Sequence, residues 1–192
     1  MVFKIFWLFR AIIYKLFFKR IGKLTYIGKP TFLSGVNKVE IGERVRIFPG
    51  IRMEVLNNYS SIKIKDNVSI GQNLHIVSGA DLIISKDSTI SSNVFITNIE
   101  HSYKEIDRHI MDQSIIVKDT IIGENCFIGC GARIQAGTKL GKQCIVGTNA
   151  VVKGEYPDYS VIVGAPARII KRYNLESKKW ERTNKKGEFI DG

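Results

Sequence analysis

The sequence predicts an all-β fold in which short strands wind into a parallel β-helix of six-residue repeats. An aliphatic residue recurs at every sixth position in long runs, and a glycine or a small or acidic residue often follows it, as in IGERVR, IGENCF and LGKQCI. A helix would space its apolar residues by three and four, so a period of six favours strands. The repeat positions are Ile41, Ile47, Met53, Ile64, Ile70, Ile76, Ile84, Ile90, Ile96, Ile116, Ile122, Ile128, Ile134, Leu140, Val146 and Val152.

Residues 1–24 are rich in large apolar side chains and predict a short amphipathic, basic helix before the repeats. Lys4, Arg10 and Lys15 interrupt the apolar run before it reaches the ~18 uncharged residues of a spanning helix. No small-residue cleavage site follows an apolar core, which disfavours a removed signal peptide. Two interpretations stay open, a helix in the plane of an anionic cytoplasmic membrane surface and a hydrophobic cap on the β-helix.

Residues 25–172 are predicted to form the β-helix itself, with aliphatic side chains stacked inside and glycine or asparagine at the corners. Cys126 and Cys144 fall at the same repeat position, one coil apart, and are expected to be small buried fillers. Together with Cys130 they form no CxxC pair, so the cysteine pattern favours a reducing compartment and predicts a cytoplasmic protein.

Composition narrows the classes of partner. Hydrophobic residues make up 44% of the 192-residue chain and charged residues 24%, which suits one globular domain. The formal net charge of +11 favours an anionic partner. The basic residues concentrate at the two ends of the chain and include no aromatic-basic recognition module, so no nucleic-acid partner is expected.

The segment 97–114, TNIEHSYKEIDRHIMDQS, breaks the period between two good runs and predicts a protruding loop. Loops on rigid scaffolds are where chemistry concentrates, and this one contains His101 and His109. A neutral imidazole can act as a general base near pH 7. The loop is therefore the predicted catalytic region.

Several motifs resemble one family of enzymes. FIGCGARI, VGTNAVVKG and the ending VIVGAPARIIKR resemble the hexapeptide-repeat acyltransferases, especially the branch of galactoside, maltose and bacterial polysaccharide O-acetyltransferases. The similarity covers roughly residues 35–172 and is most specific from Ile90 to Arg168. It implies a left-handed coil, a homotrimer with active sites between subunits, and acetyl-CoA as co-substrate, with no metal.

The resemblance also implies roles on the acceptor side. His101, in ITNIEH, matches the position of the family's catalytic histidine and is the expected general base. Glu100 is a candidate carboxylate for holding the imidazole. His75 and His109 are candidates for contact with the acceptor, although an ordinary wall or loop histidine explains each of them as well. HIVSG lacks the asparagine that contacts the sugar in galactoside-acetylating relatives, so a different acceptor is expected.

On the cofactor side, the turn around Cys130 is implied as a backbone donor to the thioester carbonyl, and Cys130 itself is expected to be positional rather than nucleophilic. A cation in the GAPAR turn is implied near the adenosine phosphates, where Arg168 is the first candidate. The lysine of VVKG stands one residue away from the order common in relatives. The cofactor-binding residues implied are Gly129, Cys130, Gly131, Thr148, Lys153, Arg168 and Lys171.

The last segment, 173–192, is polar and basic, is compatible with a short helix and has no function assigned from sequence beyond solubility or capping.

The predicted function is an acetyl-CoA-dependent O-acetyltransferase acting on a sugar hydroxyl, in the biosynthesis of bacterial surface polysaccharide such as O-antigen, capsule or exopolysaccharide. The basic N-terminus suggests a lipid-linked precursor and peripheral contact with the inner membrane surface. N-acetylation of an amino sugar or another amine is the first alternative. A catalytically inactive scaffold and a zinc hydratase of the γ-carbonic anhydrase type are disfavoured, the latter because His101 and His109 are eight residues apart, further than that family's ligand pair.

Overall fold

The computed structural model describes residues 2–190 and forms a parallel β-helix of seven stacked coils, which confirms the predicted fold class. Within each of the first six coils, successive strands join three sheets in turn, named A, B and C here, which contain seven, nine and six strands. A helix, α1 (Val2–Tyr14), precedes the coils.

The first four coils contain β1 (Arg20–Ile21), β2 (Tyr26–Ile27), β3 (Phe32–Ser34), β4 (Val39–Ile41), β5 (Arg46–Ile47), β6 (Arg52–Val55), β7 (Ser61–Ile64), β8 (Ser69–Ile70), β9 (His75–Ser78), β10 (Asp81–Ile84), β11 (Thr89–Ile90) and β12 (Phe95–Thr97). An excursion with β13 (Ile99–His101) and β14 (Ile115–Val117) follows. The last three coils contain β15 (Thr120–Ile122), β16 (Phe127–Ile128), β17 (Arg133–Ile134), β18 (Lys139–Leu140), β19 (Ile145–Val146), β20 (Val151–Val152), β21 (Glu155–Tyr156) and β22 (Ser160–Gly164). Two 3-10 turns span Val36–Lys38 and Ile110–Asp112.

The six-residue period arises because one aliphatic side chain per strand points into the prism and stacks on its counterpart in the next coil. In sheet A the parallel register places Ile41, Ile64, Ile84, Ile122 and Leu140 in one column. All five are at most 3% exposed. This column, with its equivalents in sheets B and C, is the hydrophobic core.

The period is interrupted in the structure where the second run of repeats was expected to begin. Ile116 was assigned to that run, but it lies in β14, which pairs antiparallel with β13 and places Ile116 opposite Glu100. Its side chain is only half-buried, and the core column resumes at Ile122. Ile116 keeps the spacing of the repeat but belongs to the excursion, because a hairpin strand has left the coil.

The N-terminal helix is shorter than the predicted 1–24. It ends at Tyr14, and the first coil begins at β1, because Ile21 is buried and stacks on Ile41 of the second coil. Ala11 and Phe18 join the core cluster, so this segment does cap the prism. Among the described residues, no helix is long and apolar enough to cross a membrane.

The C-terminal segment continues the sheet and contains no helix between residues 173 and 190. Strand β23 (Ala167–Asn174) turns back antiparallel on β22, and β24 (Lys179–Arg182) pairs with β23. The turn between β22 and β23 uses Gly164 at φ 98° and a cis Ala165–Pro166 bond, in keeping with the turn-forming role expected of this motif. The fold therefore ends in a hairpin that lengthens sheet B.

The two repeat-position cysteines are packing groups. Cys126 and Cys144 are buried, and their thiols donate to the carbonyls of Gly141 and Pro157 at 3.2 and 3.3 Å. The hydrogen bond with Cys144 and the burial of the site raise the pKa of the Cys126 thiol. Cys130, in contrast, is exposed.

Candidate active site

The excursion after coil four, residues 98–119 and called the arm below, stands over a cleft of about 410 Å³. The cleft lies where sheet C turns toward sheet A. One side, called the cleft wall, is formed by strands β6, β9 and β12 of sheet C, and the arm and the fifth coil complete the lining. The lining residues are Glu54, His75, Val77, Phe95, Thr97, Ile99, Glu100, His101, Gln135 and Ala136.

Asn98 anchors the arm to the end of the third coil. Its side chain is fully buried, its Oδ1 accepts from the Gly79 N–H at 2.7 Å, and its Nδ2 donates to the Ser78 Oγ at 3.1 Å. Its carbonyl accepts from the Lys118 N–H at 2.9 Å, which ties together the two ends of the arm. Asn98 was not predicted from sequence, although an asparagine directly after the point where the six-residue period ends is a local signal for such an anchor.

His101 lies in β13, where it pairs with Ile115 and reaches the cleft half-buried. Its Nδ1 is buried and has no hydrogen-bond partner among residues 2–190. A histidine that acts as a base through one ring nitrogen is normally held by a partner at the other. The described part of a single chain therefore places the imidazole but leaves one ring nitrogen unpartnered.

Glu100 does not hold His101, although it was a candidate for that role. Its Oε1 bonds instead with the Nζ of Lys153, which follows β20 in the sixth coil. From sequence, Lys153 was expected to contact the pantetheine of CoA. In this structure it instead ties the arm to the sixth coil, through an ion pair between residues 53 positions apart. Neighbouring side chains on a strand point in opposite directions, so adjacency in sequence does not bring the Glu100 carboxylate to the His101 imidazole.

The cleft wall carries an ionised carboxylate, Glu54, which was not predicted from sequence. The Arg52 Nε donates to the Glu54 Oε1 at 2.7 Å, and the His75 Nε2 lies 3.4 Å from the same oxygen. The hydrogen bond from Arg52 lowers the pKa of the Glu54 carboxyl. His75 also meets the Phe95 ring edge-on at 5.0 Å. The wall thus offers charge, hydrogen-bonding groups and an aromatic surface, a combination suited to a polar acceptor.

His109 lies outside the cleft and has a structural role. It is exposed, and its Nδ1 accepts from the Met111 N–H at 3.2 Å at the start of the 3-10 turn of the arm. The loop-histidine interpretation therefore accounts for it.

The predicted thioester turn lies at a different corner of the prism, between sheets B and C. The N–H groups of Gly129 and Gly131 already donate to the carbonyls of Val146 and Ser92, at 2.8 and 3.0 Å. The Cys130 N–H has no such partner in the described part of the chain. Thr148 stands one coil further at the same corner as Gly129. Within one chain, this corner does not meet His101.

Arg168 lines a pocket of about 690 Å³ formed with the C-terminal hairpin. Lys185 and Lys186 line it too, together with Glu188, so a basic pocket surrounds the predicted phosphate-binding cation. Lys171 lies further along β23, opposite Val161, and is not among the lining residues. Neither tail lysine was predicted as a binding residue from sequence, because no local pattern connects it with Arg168.

Comparison with known proteins identifies the class. Residues 109–154 match the family model for bacterial transferase hexapeptide, six repeats. The chain is 33% identical over 162 residues to WbbJ of Escherichia coli K12, a protein named for lipopolysaccharide biosynthesis O-acetyl transfer, and covers 81% of it. It is also 33% identical over 144 residues to the probable acetyltransferase Rv3034c of Mycobacterium tuberculosis, but covers 46% of that protein.

Two solved structures share the fold. AntD, an N-acyltransferase from Bacillus cereus in complex with dTDP and 3-hydroxybutyryl-CoA, superposes with a TM-score of 0.73 at 19% identity, over 88% of this chain and 90% of that one. A galactoside acetyltransferase in complex with coenzyme A gives 0.62 at 20% identity, over 95% and 78%. The chain belongs to the hexapeptide-repeat acyltransferases, and it is an enzyme of that class.

Proposed function

We propose that this chain is an acetyl-CoA-dependent O-acetyltransferase that modifies a sugar hydroxyl in bacterial surface polysaccharide biosynthesis. The observation that carries the proposal is His101, a half-buried imidazole at the edge of a cleft of about 410 Å³, held on an anchored arm. The similarity to WbbJ, which extends over 80% of this chain, supports the substrate class.

In this proposal His101 is the general base. As the acceptor oxygen attacks the thioester carbonyl, the imidazole takes the hydroxyl proton. The tetrahedral intermediate then collapses, the C–S bond breaks, and the imidazolium returns the proton to the CoA sulfur. The Cys130 N–H is the proposed donor to the oxyanion, because it is the member of its turn whose N–H is not used within the coil.

A homotrimer is the proposed assembly. The candidate base and the candidate oxyanion donor lie at different corners of one prism, and a cyclic arrangement brings unlike corners of neighbouring subunits together. Sedimentation of the purified protein measures the number of subunits.

Acetyl-CoA is the proposed co-substrate. Its phosphates would bind at Arg168, Lys185 and Lys186, whose charges line the C-terminal pocket. Thr148 lies at the corner of the thioester turn and would contact the pantetheine arm. The acceptor would lie against Glu54, His75 and Phe95 on the cleft wall. We propose a cytoplasmic location, where acetyl-CoA and a reducing environment coexist.

N-acetylation of an amino sugar is the second candidate function. Glu54 favours it, because a carboxylate held ionised in the cleft can bind an ammonium group. A panel of hydroxyl and amino sugars, tested with acetyl-CoA and a thiol assay for released CoA, separates the two candidates. Replacement His101→Ala should lower the rate by about two to four orders of magnitude with the fold intact. Retained activity in that variant would disprove the assignment of the base.

A further inference from the structure

Helix α1 attaches to the prism through one face. Ala11 is buried against the first coil, and the Trp7 ring lies 5.8 Å from the Tyr26 ring. The Arg10 Nη1 donates to the Ile27 carbonyl at 3.0 Å. This bond satisfies a backbone acceptor at the open end of the prism, where no earlier coil supplies a donor. The helix is therefore fixed at the N-terminal end of the coils.

The opposite face of the same helix is apolar and uncovered. At 100° per residue, its side chains lie on the side away from Ala11. They are 52% to 82% exposed. This outer face consists of Ile5, Phe6, Phe9, Ile12 and Ile13, with Leu16 in the turn that follows. Contiguous large apolar side chains of this kind mark an interaction surface, whereas single exposed ones do not.

The charge around the outer face indicates which partner covers it. The first 39 residues contain eight lysines and arginines and no aspartate or glutamate. Lys15 and Lys23, both exposed, are two of them. A second copy of the chain would bring the same positive charge to the contact. An anionic lipid surface complements both properties, because the acyl boundary accepts apolar side chains and the headgroups accept cations.

We propose that the outer face of α1 docks the protein on an anionic membrane surface with the N-terminal end of the prism toward the lipid. The cleft residues come from coils two to five, and adjacent strands are about 4.8 Å apart. The cleft then lies roughly 5–20 Å from the first coil, on the side away from the lipid. This separation between the cleft and the lipid-facing end of the prism suits a saccharide carried on a lipid anchor. That acceptor class rests on the proposed function, whereas the docking does not.

The test is binding of the 192-residue chain to vesicles of phosphatidylcholine alone and of phosphatidylcholine mixed with phosphatidylglycerol, measured by cosedimentation. The triple variant Phe6→Gln, Phe9→Gln and Ile13→Gln removes half of the outer face. A matched control replaces three exposed apolar residues elsewhere with glutamine, namely Leu56, Tyr59 and Leu175.

The wild type and the control should bind the mixed vesicles, and the outer-face variant should bind at least about tenfold more weakly. Added salt should weaken wild-type binding, because the electrostatic attraction is screened. The charge reversals Lys15→Glu and Lys23→Glu should weaken it as well, which keeps the proposal testable if the apolar variant folds poorly.

Equal binding by the wild type and the outer-face variant would overturn the proposal. The proposal would also be overturned if the wild type did not bind anionic vesicles and the outer-face variant had a lower sedimentation coefficient than the wild type. A second copy of the chain would then be the partner. Vesicle binding needs no catalysis. Its failure therefore leaves the transferase proposal intact, and an inactive His101→Ala protein that still binds vesicles leaves the docking intact.

Discussion

Removal of the Asn98 side chain tests whether the arm is held by its buried anchor. Asn98→Ala deprives the Gly79 N–H of its acceptor and the Ser78 Oγ of a donor. A buried donor left unsatisfied costs about 1–3 kcal/mol, and the second hydrogen bond contributes about 1 kcal/mol. The arm should therefore be destabilised against local opening by about 2–4 kcal/mol.

Hydrogen exchange followed by mass spectrometry measures this opening directly. Amides of the arm should exchange roughly 30- to 700-fold faster in Asn98→Ala, the factor that corresponds to that free energy. Amides of the coils should keep their protection, since the core columns are unchanged. The rate of CoA release should fall as well, because His101 is carried on the arm.

Asn57→Ala is the matched control. Asn57 also makes two side-chain hydrogen bonds, donating to the Gly79 carbonyl at 3.1 Å and accepting from the Tyr59 N–H at 2.9 Å. It is half-buried and makes no side-chain hydrogen bond to the arm, so water can replace its bonds at a cost of at most about 1 kcal/mol. If Asn98→Ala and Asn57→Ala give the same exchange in the arm, the anchoring role of Asn98 is refuted.

Three further predictions concern the arm, the cleft wall and the core. Glu100→Gln and Lys153→Met should each lower kcat, and the double variant should be no slower than the worse single one, because both remove the same ion pair; additive losses would contradict this. Arg52→Met should raise the pKa of Glu54 toward its ordinary value, followed by NMR titration. Because this pKa is lowered in the folded protein, the stabilisation is present above the ordinary value and is lost as pH falls through the folded pKa, so the variant should lose less stability on acidification. Ile84→Ala should cost about 2–5 kcal/mol in denaturant unfolding and Ile84→Val about 0.5–1.5 kcal/mol; a cost below about 1 kcal/mol for the alanine would argue against a packed column.

The sequence by itself determined the coil and the location of the arm. A β-helix must place an inward aliphatic side chain in every strand, so its core is written as a local period that needs no knowledge of distant contacts. Ile64, Ile84 and Ile122 follow from that period. The candidacy of His101 is predicted from the interruption of the period, because a segment that the coil does not require is free to carry other side chains.

The tertiary structure decided which residues meet across coils. Glu100 bonds with Lys153 and Glu54 lies beside His75, and these partners are set by the register of stacking and by the corner each residue occupies. A six-residue period gives the inward positions but not the corners that adjoin. The position of Ile116 was also decided by the tertiary structure. It lies in a hairpin strand of the arm, which keeps the spacing of the repeat although it has left the coil.

The N-terminus shows the same division. Hydrophobicity and charge predicted an amphipathic helix but left open whether it caps the prism or faces a membrane. In the structure Ala11 and Arg10 attach it to the first coil while Phe6 and Phe9 remain uncovered. The cap and the exposed apolar face are therefore two sides of one helix. Only the packed coil could decide this, because the side of a helix that is buried depends on the surface it meets.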